Sequence, residues 1–215
     1  MRAKPILFNT EMVLAILDGR KTVTRRVIKL KYDNTYHKIK TDEYGPRLIE
    51  MQKYGKNSDG TTWRKLRPYI ENWPPYRKGD ILYVREKWQY MYDLNGNDRI
   101  IDDTGRYVYA ADGFDVSTWV NPDGTHRDGI PWRPSIHMPK EAARIWLRVT
   151  DVRVERLQDI DDEGVIAEGL EIGDAFDELW DSALKKSDRD RYGWNVNPYV
   201  WVIEFERCEK PEEHV

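Results

Sequence analysis

The first apolar run on the chain, Lys4 to Phe8, is followed by apolar positions at helical spacing. Met12, Val13, Ile16 and Leu17 fall on one helical face. Asn9 or Thr10 supplies the cap, and Asp18-Gly19 ends the helix, because glycine suits the left-handed position just past a C-terminus. The pattern thus predicts a strand, an amphipathic helix, and an extended segment from Arg20 onwards.

Further along, Ile81 to Glu86 carries apolar groups on both faces, Ile81 and Tyr83 against Leu82 and Val84. That predicts a strand inside a sheet rather than at its edge. Leu147, Val149, Val152 and Val154 mark the buried side of a long strand from Ile145 to Leu157, with a break at Thr150-Asp151 of the kind a bulge makes. A helix starts at Asp161 or Asp162, where acidic residues suit the N-terminal dipole, has Val165 and Ile166 as its apolar face, and ends at Glu168-Gly169. Phe176, Leu179 and Trp180 predict another amphipathic helix from Ile172 to Leu184, then a charged loop from Lys185 to Arg191. Asn197 to Glu206 is a closing strand with the long apolar content of a sheet interior. A short strand at Tyr107 to Ala110 and a helical turn at Lys140 to Ala143 complete the set.

Residues 29–75 and 89–143 hold no sustained period. They carry turn signals instead, at Asp59-Gly60, Asn95-Gly96 and Asp123-Gly124. They read as two insertions, the first with a hairpin, in one domain of residues 1–215 whose end from 209 is a flexible tail. Trp63 and Tyr69 in the first insertion pin a loop to the body or cover one side of a pocket.

Composition changes this picture in three ways. Nine Trp and thirteen Tyr supply rings for a core first, and for base stacking or pocket walls second. A net charge of −3 excludes a protein that coats nucleic acid by bulk charge, yet residues 20–40 hold eight Lys and Arg against Asp33 alone. Cys208 is the single cysteine, so no intrachain disulfide forms and a structural zinc site is not expected. No apolar run is long enough for a membrane span and no leader pattern opens the chain, so a cytoplasmic protein with no membrane partner is expected.

Candidate chemistry concentrates in Gly19-Arg20-Lys21-Thr22-Val23-Thr24-Arg25-Arg26. Lys21 is a potential base, Thr24 a potential nucleophile, and Arg20, Arg25 and Arg26 are anion- or substrate-binding groups. The plain alternative is a solvated basic strand. In a regular strand Lys21 and Thr24 point to opposite faces, so their cooperation requires a turn or bulge. Arg85 and Glu86 close the strand from Ile81 as a structural charge pair, with both kept as secondary substrate-binding candidates. Ser135 and His137 lack the G-x-S-x-G turn of a serine hydrolase, which leaves His137 as a structural or substrate-contacting group.

The order of these pieces resembles the ASCH domain family. The likeness rests on the Gly-Arg-Lys-Thr-x-Thr-Arg-Arg segment, Gly79-Asp80-Ile81-Leu82-Tyr83-Val84, a long strand, Ile166-Ala167-Glu168-Gly169, and the closing Tyr199-Val200-Trp201-Val202-Ile203-Glu204-Phe205. It covers roughly residues 4–28, 76–88 and 144–206, and is nearest to the long forms of phage and prophage genomes. The resemblance implies an α+β fold, a PUA-like mixed β-barrel with flanking helices, interrupted by the two insertions. Members of that superfamily are regarded as RNA-binding modules, and a small bacterial branch hydrolyses N(4)-acetylcytidine without a metal or other cofactor. On that resemblance Lys21 is the base, Thr24 the nucleophile and Glu168 the assisting carboxylate. This chain is about twice as long as that branch, so its insertions bear on any pocket.

Three readings follow. A hydrolase uses Lys21 with a proton affinity lowered by burial or by neighbouring cations, because a threonine hydroxyl needs a base to become a nucleophile. A non-catalytic module binds single-stranded RNA or a modified nucleoside through the arginines and exposed rings. A ribonuclease ranks third. Against all three stands a Lys21–Glu168 salt bridge that only closes the barrel.

Overall fold

The computed structural model describes residues 3–31, 36–56, 62–95, 97, 99–114, 116–121 and 123–212. In chain order the elements are β1 (Lys4–Leu7), α1 (Thr10–Leu17), β2 (Val23–Val27), β3 (Tyr36–Asp42), β4 (Gly45–Lys56) and β5 (Thr62–Asn72). They continue with β6 (Ile81–Arg85), β7 (Trp88–Met91), β8 (Arg106–Tyr109), β9 (Thr118–Val120), β10 (His126–Asp128) and β11 (Trp146–Arg156). The last are α2 (Asp162–Ala167), α3 (Phe176–Ala183), α4 (Arg189–Tyr192) and β12 (Tyr199–Cys208). This is a mixed α+β protein, mostly strands in several sheets with a few helices. Among the described residues every sheet has two distinct edge strands, so the expected closed barrel is not seen. No helix there is long and apolar enough to cross a membrane.

The chain divides into two compact units. The first comprises Met1–Gly19, Ile81–Arg148 and Arg207–Val215. In it β1 runs parallel to β6, and β6 pairs antiparallel with the opening residues of β11. Leu82, Tyr83 and Val84 are all buried, as expected of a strand covered on both faces. Leu82 and Val84 each contribute ~1.5–3 kcal/mol by leaving water. Tyr83, Trp88, Met138 and Trp146 form the centre of this core. The α1 cap is Asn9, whose side chain accepts the Met12 N–H at 2.8 Å, and Gly19 past the helix has φ 78°. From Trp88 onward lie two small ladders, β7 with β8 and β9 with β10, the latter joined across Asp123-Gly124 with Gly124 at φ 82°.

The second unit comprises Arg20–Asp80 and Val149–Glu206. Its sheet order is β11, β12, β2, and β2 is antiparallel to β12 in unbroken register from Val23↔Glu204 to Val27↔Val200. β11 runs from Trp146 to Arg156 as one strand, and its buried side shifts from Leu147 and Val149 to Val152 and Val154 across Thr150-Asp151, the change of phase expected there. Leu157, Phe176, Val200 and Val202 pack with Val23, flanked by Trp180 and Trp194. α3 starts at Phe176 rather than Ile172, because Gly173 at φ 94° turns the chain and Asp174 accepts the Glu171 N–H. The charged loop after it contains the short helix α4.

Residues 29–75 form more than a hairpin: β3, β4 and β5 make an antiparallel three-stranded sheet. The alternation was masked because β4 buries charged residues. Arg47 and Glu50 are enclosed beside Leu48 and Ile49. Glu50 survives there because its Oε1 accepts the Lys31 N–H at 3.1 Å and the Asn72 amide at 3.0 Å. The Asp59-Gly60 turn, Gly96, the side chains of Trp63 and Tyr69, and the last three residues of the tail lie outside the described residues.

Candidate active site

Lys21 and Glu168 meet through two short-range decisions of the chain. α1 ends at Leu17, and the Asp18-Gly19 turn past it delivers Lys21 just before β2 begins. α2 starts on Asp161, whose side chain accepts the Gly164 N–H at 2.8 Å, and Glu168 is the residue that closes it. Gly169 at φ 92° then lets the chain leave. Lys21 and Glu168 form an isolated antiparallel bridge, supported by Thr22 N–H on the Ala167 carbonyl at 2.9 Å.

The Lys21 Nζ donates to Glu168 Oε2 at 2.5 Å and to the Glu168 carbonyl at 2.9 Å. The other carboxylate oxygen, Oε1, accepts the Arg25 backbone N–H at 2.8 Å and Arg25 Nη1 at 3.4 Å. The Lys21 side chain is 0% exposed and that of Glu168 6%. Burial pushes the Lys21 ammonium below its ordinary range; the Glu168 charge and hydrogen bond oppose this, while Arg26 and Arg25 add to it. Arg26 lies within electrostatic reach of Glu168 and of Tyr76. The Tyr76 hydroxyl is raised by burial and opposed by Arg26. Arg20 donates to the Gly169 carbonyl at 2.7 Å, so it fastens the end of α2.

Thr24 is buried as the second residue of β2. Its neighbours Val23 and Arg25 both line a cleft of about 270 Å³ with Gly164 and Ala167. In a strand of unbroken register the residue between them faces the other way. Among the described residues no hydrogen bond joins the Thr24 hydroxyl to Lys21 or Glu168. The structure therefore unites Lys21, Glu168 and Arg25, and leaves Thr24 beside them without a bond to the pair. Sequence reasoning missed the Arg25 backbone N–H as a carboxylate ligand, since no side-chain pattern reports a main-chain donor.

Arg85, Glu86 and His137 belong to the first unit. Glu86 does not pair with Arg85, its sequence neighbour. It takes a bidentate bond from Arg144, Nε to Oε1 at 2.9 Å and Nη2 to Oε2 at 3.0 Å, while Arg85 donates to the Ile136 carbonyl. Adjacent strand residues point apart, so the expected pair was excluded by the pleat. Arg144 also bonds Asp112 at 2.6 Å and lies 4.0 Å from the Tyr109 ring centroid. His137 is exposed on a 3-10 turn. Among the described residues no group of three His, Cys, Asp or Glu side chains is placed to hold a metal ion.

The folded chain is thus a mixed α+β protein with an enclosed lysine–glutamate–arginine site in its second unit. No family model matches it, and neither a curated protein nor a solved structure matches it.

Two predictions arise from this geometry. An added Cβ at Gly164 meets Arg25 Nη2 and Ile160 Cγ1, each at 2.9 Å. Gly164→Ala is expected to destabilise by ~1–3 kcal/mol through overpacking, despite the better helix propensity of alanine. Urea unfolding checks it, and a gain in stability sinks it. The second concerns pH. Lys21 holds fewer protons when folded than when unfolded, in the window between its lowered value and its ordinary 10.5. Stability contributed by this group therefore rises with pH across that window. Lys21→Met is expected to remove that rise, seen as a flatter stability curve on the approach to pH 10.5 from below.

Proposed function

We propose that this chain is a nucleoside- or RNA-directed protein of the PUA-like ASCH kind, and that its Lys21–Glu168 site removes an acyl group from a modified cytidine. The observation that carries this reading is the enclosed Lys21 amine, its proton affinity lowered by burial against the opposing pull of Glu168, whose carboxylate holds it at 2.5 Å. An ordinary surface lysine is protonated and useless as a base.

In the proposed reaction Thr24 Oγ1 bonds to the acyl carbonyl carbon and its proton passes to the neutral Lys21 amine. The tetrahedral intermediate collapses, the carbon–nitrogen bond breaks, and the proton goes to the leaving amino group, which releases cytidine. Water then hydrolyses the threonyl ester to the free acid. Glu168 orients Lys21 and exchanges a proton with it, and positioned acid–base groups of this kind contribute on the order of 10²–10⁴ in rate. Bound substrate has to bring the Thr24 hydroxyl to Lys21, in keeping with catalytic hydrogen bonds that tighten only in the complex. The missing Thr24–Lys21 bond, together with the basic run at residues 20–40, favours the second reading, binding of single-stranded nucleic acid without turnover.

The test is incubation with N(4)-acetylcytidine, with released cytidine followed by chromatography. Lys21→Ala that melts like the parent is expected to lower kcat/KM by about 10²–10⁴. No turnover by the parent protein overturns the hydrolase. Salt-sensitive binding of single-stranded RNA would then support the second reading.

A further inference from the structure

The first unit holds an apolar groove that the chemistry above does not use. Tyr90, Tyr92, Leu94, Ile100, Trp119 and Val120 line this groove of about 140 Å³. Tyr92 and Leu94 are each 38% exposed and Ile100 37%. Ile101, next to Ile100 in the chain, is exposed too, so the apolar surface extends past the groove itself. The walls are firm. Leu94 and Ile100 bridge each other, the Asn95 N–H bonds the Arg99 carbonyl at 2.9 Å, and Tyr90 stacks edge-on against Tyr107 and Tyr92.

Charge decides what such a groove accepts. Residues 89–130 carry eight aspartates against three arginines, a formal −5 where the whole chain has −3. Asp102 and Asp128 are exposed, and of the arginines Arg106 is already bonded to Asp93 at 2.6 Å. A polyanion is repelled from this surface, although its aromatic rings alone would suit base stacking. A basic segment with large apolar side chains is favoured twice, by the acidic surroundings and by the apolar walls. The backbone adds a preference for extended chain: among the described residues β9, which supplies Trp119 and Val120, is laddered only to β10, which leaves its other edge available.

We infer that this groove docks an extended polypeptide segment of a partner that carries large apolar residues interleaved with lysine or arginine. This role is independent of the Lys21–Glu168 reading. The probes are three fluorescein-labelled peptides of about ten residues, sized to the few-residue strands of peptide-recognition grooves: alternating leucine and lysine, leucine and glutamate, and serine and lysine. Binding is read by fluorescence anisotropy in low and in high salt. The leucine–lysine peptide is expected to bind at least about ten-fold more tightly than either control, and to weaken with salt. The double variant Leu94→Ser, Ile100→Ser should weaken it about ten-fold or more with an unchanged melting temperature. Asp102→Lys with Asp128→Lys should weaken it and remove the salt dependence.

Equal binding of the serine–lysine peptide would reduce the effect to bulk charge, and equal binding of the leucine–glutamate peptide would reduce it to stickiness. Either result overturns the proposal, as does binding that neither variant changes. Sedimentation at the same concentrations covers the remaining occupant: self-association lost in the Leu94→Ser, Ile100→Ser variant would put a second copy of this chain in the groove and overturn it as well.

Discussion

Replacing Glu168 by alanine is expected to destabilise the protein by about 3–5 kcal/mol, the range for a buried ion pair broken on one side. The carboxylate answers three donors, Lys21 Nζ at 2.5 Å, the Arg25 backbone N–H at 2.8 Å and Arg25 Nη1 at 3.4 Å. Without it the Lys21 ammonium loses its 2.5 Å carboxylate partner and keeps the main-chain carbonyl at position 168, and the Arg25 guanidinium keeps Glu155 at 3.6 Å. The buried Lys21 charge would then sit in a low-dielectric interior without the carboxylate that faces it, and Arg25 would hold one carboxylate in place of two. Lys21→Met should cost less, because it replaces the buried ammonium with an apolar chain of similar length. Urea unfolding of the two single variants and the double variant measures the coupling, expected at 0.5–3 kcal/mol or so in favour of the pair. A loss below about 1 kcal/mol for Glu168→Ala would place this carboxylate among ordinary surface pairs and remove its claim to hold the site. Glu168→Gln is the better variant for kinetics, since it retains shape and an acceptor while it removes the proton-accepting charge.

Arg144→Ala is the second large effect, about 3 kcal/mol, the low end of the same range because the Arg144 side chain is 27% exposed and water can reach part of the site. It strips Glu86 of both its bidentate bonds and leaves Asp112 and Tyr109 without their shared cation. The pH dependence has a definite sign. Burial already raises the Glu86 carboxyl above its ordinary 4.5, and Arg144 works against that rise. Loss of the arginine raises it further, so the folded variant binds a proton that the unfolded chain does not in the window above pH 4.5. Stability of the variant then falls as pH rises through that window, and its deficit against the parent is smallest near the acid end. A deficit constant from pH 4.5 to 7 would mean that Glu86 stays charged without Arg144, which contradicts its enclosure.

Much of the frame was legible because it depends on local rules. The α1 face, its Asn9 cap and Gly19 stop, the two-sided apolar strand β6, the Asp161 cap of α2 and the closing strand β12 all follow from periodicity and capping. Where the reading fell short, a polar residue occupied a core position or a main-chain group did a side chain's work. Arg47 and Glu50 hid the strands of residues 36–72, because nothing local shows that Lys31 and Asn72 will satisfy a buried carboxylate. Arg144 replaced Arg85 as the partner of Glu86 for a comparable reason: its position depends on where β11 enters, some 58 residues away.

The candidate site divides in the same way. Sequence by itself determined that Lys21 would follow a helix stop and that Glu168 would end a helix, since glycine and aspartate act within a few residues of themselves. Only the tertiary structure decided that these two ends bridge each other, that Arg25 offers its backbone N–H to the carboxylate, and that β2 stays regular so that Thr24 is not bonded to the pair. Those outcomes depend on which strand lies beside which, and a proton affinity lowered by burial exists only once the chain has closed around the amine.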